Sequence, residues 1–189
     1  MSDQTSQDEN KVNEYLGIIK ERILAPIQKT EIRRYCTATL LLLFAAIDGL
    51  GKLLDTDDKA GSNRRIRGFL DYMGGNYAAC KKELLDLRQS LVHNAINVES
   101  FLSNTEIRDE QHLKKVGAAG FIYVNTIVMY TDFVDAFRRF SADIQHDPAK
   151  LKRAANRLEW REESLLEALD FPDGATPSSP PPVEFIYAK

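Results

Sequence analysis

The sequence predicts an all-α fold: a helical bundle interrupted by either a small β-hairpin or an irregular excursion. Three observations carry this reading. Apolar residues recur at steps of three and four along most of the chain, the spacing that gives a helix one buried stripe. The run Leu40–Ile47 is apolar on nearly every side, which suits the central helix of a bundle. The chain has 189 residues, 43% apolar and 28% charged, enough for one domain with its own core.

Taken in order, Met1–Asn10 is polar and acidic and reads as a disordered N-terminus, with the helical domain spanning residues 11–171. Val12, Leu16, Ile19, Ile23 and Ile27 place an amphipathic helix up to about Gln28, its end kinked or frayed by Pro26. Thr30 and Glu31 suit the cap and first turn of a second helix, which continues through Leu40–Ile47 to about Leu54. The charged stretch Asp55–Asn63 reads as a loop, with Ser62 or Asn63 capping a short helix that carries Ile66, Phe69, Leu70 and Met73. Gly74-Gly75 ends that helix. Another helix runs from about Asn76 to Ile96, with Leu84, Leu87, Leu91 and Ala95 along one stripe.

Periodicity is lost over Asn97–Gly120, where the hairpin or excursion is expected. Phe121–Ile144 reads as a strong helix, and Asp147-Pro148 as the cap and first turn of a last helix over about Ala149–Leu169. Residues 172–189 form a Pro-rich linker and a short apolar tail, Val183–Tyr187. That tail either frays or docks on the body, on a second subunit or on a partner protein.

Composition excludes several classes of function. A net charge of −3 argues against a protein that holds nucleic acid by bulk positive charge, although a local basic patch remains open. The acidic N-terminus is the opposite of a signal peptide, and the longest apolar run is far too short to span a bilayer, so a cytoplasmic protein without a membrane segment is expected. Cys36 and Cys80 carry no zinc-type spacing and read as reduced, buried thiols. His93, His112 and His146 stand in separate segments with no i,i+4 pair, so neither a metal nor a cofactor is expected. Phosphate-binding, dinucleotide, zincin and nucleophile-elbow motifs are all missing.

The informative stretch is Leu84–Asn94. The residues three and four positions from Arg88 are Leu84, Leu85, Leu91 and Val92, so the arginine projects from an apolar helix face. A guanidinium there needs a carboxylate, a phosphate or a subunit interface. The internal candidate is Asp48, the acid in the apolar second helix, which is expected to face Arg88. His93 lies about 140° around the helix from Arg88, so a site using both needs the reach of arginine, a distorted helix or a second subunit across a twofold axis. Such a pair suits cleavage of RNA through its own 2′-OH: histidine moves the proton, and arginine stabilises charge on the phosphate oxygens. Gln89, Ser90 and Asn94 could orient the histidine or bind phosphate. Arg64, Arg65 and Arg67, with Lys81 and Lys82, are candidate RNA guides.

Arg88-Gln89-Ser90-Leu91-Val92-His93 resembles the R-x(4–6)-H motif of the HEPN superfamily, including the polar residue after the arginine. The likeness extends over the order of segments from Tyr35 to Asn94, with Ala46-Ile47-Asp48-Gly49-Leu50-Gly51 in the apolar helix, and reaches the Phe121 helix. It implies a homodimeric bundle in which two motifs meet in one metal-independent RNA-cleaving cleft, in toxin–antitoxin, phage-defence or RNA-processing settings. Arg88 and His93 would then be catalytic, with Gln89, Asn94 and Asp48 supporting, RNA the substrate and an antitoxin a further partner. The alternative is a catalytically silent nucleotide- or partner-binding module in which Arg88 and Asp48 form a structural pair.

Overall fold

Helix α3 (Cys36–Leu54) is the most apolar element, with Leu40, Leu43, Phe44, Ile47, Leu50 and Leu53 among its buried residues. Its length and mean hydropathy of 1.6 would suffice to cross a membrane. In the computed structural model it instead serves as the central helix of a bundle, packed against α4 (Ser62–Met73), α6 (Lys81–Asn94), α7 (Thr126–His146) and α8 (Pro148–Ala168). The structure describes residues 2–29, 32, 36–57, 59–94, 101–103, 108–116 and 121–168. The C-terminal linker and the Val183–Tyr187 tail lie outside them.

The α3–α4 contact is the closest in the bundle's design. A Cβ on Gly51 would overlap the backbone of Arg65, so only glycine admits this approach. From α4, Phe69 then reaches across to α7, with ring centroids 5.8 Å from Phe133 and 5.6 Å from Phe140. Both aromatic pairs sit within the distance range at which tilted and edge-to-face rings attract.

Helix α1 spans Ser2–Ile19 and so includes Ser2–Asn10, whose composition suggests disorder. The segment is anchored rather than free: Asp8 is buried, accepts from Gln4 Nε2 at 3.2 Å, and α1 packs along α8. After Ile19 the helix widens into a π-helical turn, Lys20–Leu24, and continues as α2 (Ala25–Lys29). The Ala25 N–H reaches back five residues to Lys20 O. Pro26 follows at once; it has no N–H to give, and its ring crowds the preceding turn, so a widened turn is the expected accommodation.

Gly74, with φ 132°, stops α4 in a conformation that side chains avoid. The helix expected from Asn76 onwards is divided at Cys80 into α5 (Gly75–Ala79) and α6, with Leu84, Leu87 and Leu91 buried as their stripe predicts. The excursion contains a three-stranded sheet of order β1-β3-β2, made of β1 (Phe101–Ser103), β2 (Lys115–Val116) and β3 (Phe121–Val124). β2 and β3 form an antiparallel pair with Lys115 opposite Ile122, and β1 adds in parallel with Leu102 opposite Tyr123. Phe121–Val124 is therefore strand, not the start of the long helix. The run Phe-Ile-Tyr-Val favours a pleated surface, and Asn125 starts α7 by accepting the Ile127 and Val128 N–H groups. At the other end of α7, Asp147 Oδ1 accepts from Ala149 and Lys150, capping α8 as Asp-Pro predicts.

Two glycines give opposite tests of this packing. Gly51→Ala is expected to destabilise the fold by ~2 kcal/mol or more, because a backbone must move to admit the methyl group. Gly68→Ala, within α4 and with nothing near its added Cβ, should instead stabilise by up to about 1 kcal/mol. Urea denaturation of both variants measures the contrast.

Candidate functional site

Helix α6 carries the R-x4-H motif in its last turns. Leu84, Leu85, Leu87 and Leu91 bury one face against the core, while Gln89 is exposed and Arg88 and Ser90 are half-buried. Arg88 thus sits at the edge of the apolar face. One turn further on, Val92 is 52% exposed, an unusual placement for a branched apolar side chain. The backbone of His93 and Asn94 completes α6, and their side chains lie outside the described residues.

Asp48 does not face Arg88. Its carboxylate is gripped by Arg65, whose Nε donates to Oδ1 at 2.7 Å and whose second amino group donates to Oδ2 at 3.1 Å. Ser62 adds a hydroxyl donor to Oδ2 at 2.8 Å. This two-pronged geometry is the strong form of an arginine–carboxylate pair, and it raises the Arg65 pKa further, chiefly through the hydrogen bond. The physical reason for the correction is the Gly51 approach: it lays the start of α4 along the end of α3, so the nearest guanidinium to Asp48 is that of Arg65. Among the described residues Arg88 has no hydrogen bond or ion pair.

The same contacts change the candidate RNA guides. Arg65 is committed to Asp48, and Arg64 pairs with Asp55 at 3.0 Å and with Asp57 at 3.0 Å. Arg67 is exposed and, with Arg64, Asp55 and Asp71, lines a shallow pocket beside the α3–α4 turn. Lys81 is held by Asp71 at 2.7 Å. Among the described residues Arg67 has no ion pair, and Asp55 and Asp71 line the same pocket.

A second polar cluster was not foreseen from the sequence. His112, in the excursion, accepts at Nδ1 from the Asn125 backbone N–H at 3.0 Å. The proton of the neutral ring is therefore on Nε2, which donates to Tyr77 Oη at 2.9 Å. Tyr77 in turn donates to Asp132 Oδ2 at 2.8 Å, and the Asn125 carboxamide donates to Asp109 at 3.1 Å. Burial lowers the His112 pKa, against the upward pull of Asp132 and Asp109; burial likewise raises that of Tyr77. The partners of His112 come from α5, α7 and the strand end, so no local spacing could announce them. The legible signal was Asn125 as a helix cap.

No three His, Cys, Asp or Glu side chains among the described residues are grouped to hold a metal ion. Comparison with family models, with curated proteins and with solved structures returns no match for the chain.

The two arginines should respond differently to truncation. Arg65→Ala leaves a part-buried carboxylate without its main partner and should cost about 2–3 kcal/mol, whereas Arg88→Ala removes no pair among the described residues and should cost less than ~1 kcal/mol. Thermal and urea unfolding of both variants provides the comparison.

Proposed function

We propose that this protein is a metal-independent endoribonuclease of the HEPN type, cutting RNA at a cleft formed by two copies of the chain. The observation that carries the reading is Arg88: a half-buried residue at the rim of an apolar face, without a hydrogen bond or ion pair among the described residues, five positions ahead of His93 on one helix. Such a group on an apolar face is explained by an anion that arrives from outside. A phosphodiester supplies one.

In this reading a base takes the proton from the 2′-OH, and the 2′-oxygen attacks the neighbouring phosphorus. The bond to the 5′-oxygen breaks as that oxygen receives a proton, leaving a 2′,3′-cyclic phosphate and a 5′-hydroxyl. His93 carries the proton transfer. Arg88 stabilises the charge that builds on the non-bridging oxygens, where its fork of donors fits two oxygens at once. Gln89, exposed beside Arg88, and Asn94, next to His93, are the supporting polar groups. Asp48 plays no direct part; it acts on the fold through Arg65.

Arg88 and His93 are separated by about 140° around α6, so one helix does not aim both at one phosphate. Pairing α6 with its copy across a twofold axis brings the arginine of one subunit towards the histidine of the other. The exposed Val92 supplies apolar surface for that contact. RNA is the substrate, and the settings that the family likeness implies, toxin–antitoxin or phage defence, add an inhibitory protein as a partner.

Incubating the purified protein with a mixed RNA pool in EDTA, beside His93→Ala prepared identically, tests the proposal. Cleavage by the natural chain and a loss of at least about a hundredfold in the variant are expected, the scale of one acid–base group. Equal cleavage by both, or no cleavage by a folded dimer, removes it.

A further inference from the structure

Leu113 has φ 62°, the left-handed region that a branched side chain avoids, and it directly follows His112. An L-residue is held there only when its surroundings fix it. Here Leu113 is buried, its N–H donates to Tyr123 O at 2.7 Å, and its carbonyl accepts from Cys80 Sγ at 3.4 Å. The strained residue and the half-buried imidazole therefore belong to one fastening, which ties the turn Asp109–Gln111 and strands β2 and β3 to α5 and α7.

We propose that His112 is a proton-operated latch: while neutral it holds the strand unit against α7, and its protonation releases that unit. In the neutral ring, Nδ1 accepts from the Asn125 N–H and Nε2–H starts a one-way chain, His112 to Tyr77 to Asp132. A proton added to Nδ1 sets two N–H groups against each other across 3.0 Å, and the Asn125 bond must break. Asn125 also caps α7 and binds Asp109, so one broken bond disturbs the helix start and the Asp109–Gln111 turn together. Leu113 then returns to an ordinary conformation, which favours release.

The charged groups that bear on the ring are Asp132 from α7 and Asp109 from the turn, both of which favour its protonation, while burial opposes it more strongly. Cys80 and the Glu83–Lys115 ion pair lie towards α6; the pair is neutral overall. The direction of the pH effect follows. A histidine whose folded value lies below the ordinary 6.5 contributes stability that is present above that pH. It is lost as pH falls from there towards the folded value. The latch does not depend on the endoribonuclease reading.

Hydrogen exchange on the full chain, expressed as protection factors, tests the latch at about pH 7.5 and about pH 5. Peptides covering 109–124 should lose at least about tenfold in protection at the lower pH while those from α3 keep theirs, a change on the scale of one titrating group. His112→Asn keeps an acceptor near the Nδ1 position and removes the titration, so its protection should not change with pH. No loss in the natural chain, or an equal loss in the variant, overturns the proposal. Should the variant leave 109–124 unprotected at both pH values, nitrogen-15 spectra of the natural chain decide. A neutral Nε2–H ring with a midpoint below 6.5 is expected, and a charged ring or an Nδ1–H tautomer at neutral pH overturns the latch.

Discussion

At Gly51 the backbones of α3 and α4 come too close to admit a methyl group, and the polar chemistry of the bundle follows from that approach. It places Arg65 against Asp48 with two donors on two oxygens, and Ser62 completes the carboxylate's partners. A part-buried acid satisfied so fully needs nothing from α6. The same approach seats Phe69 among the α7 aromatics, so α4 acts as the plate through which α3 and α7 hold each other. The leucines of α3 supply the buried apolar surface, and Gly51 with the Asp48–Arg65 pair sets how α4 lies on it.

What the ion pair leaves undone is the basis of the functional reading. With Asp48 occupied, Arg88 stands at the rim of an apolar face without a described partner, in a helix otherwise devoted to packing. A structural arginine is usually explained by the acid that it meets. Among the described residues no acid supplies that explanation, and under the proposed function a phosphate does, five residues before His93. Val92, one turn on, is exposed. The other polar cluster, around His112, joins the strand unit to α5 and α7, and the Glu83–Lys115 pair joins its β2 to α6.

Most helices were legible because a buried stripe leaves its period in the sequence. Ile66, Phe69, Leu70 and Met73, or Leu84, Leu87 and Leu91, fix their helices wherever the core is. Local chemistry was legible too: Asp147-Pro148 opened α8, and Pro26 disturbed the helix that it entered. Interactions between distant elements were not. The expected Asp48–Arg88 pair was judged by residue type, and geometry set by Gly51 chose Arg65 instead. Phe121–Val124 was read as helix because a four-residue apolar run fits both periods; Asn125 was the mark that separated strand from helix. Ser2–Asn10, too polar to announce a core, belongs to α1, which packs along α8 and buries Asp8.

The central claim is that Arg88 is kept for a phosphate, and RNA affinity on an uncleaving background measures it most directly. Binding of a labelled RNA by His93→Ala is compared with binding by the Arg88→Ala, His93→Ala double variant over a range of salt. The account predicts affinity lower by about tenfold or more in the double variant, with a salt dependence shallower by about one counterion per arginine removed from a phosphate. Equal affinities with equal salt slopes would contradict it and return Arg88 to a purely structural role.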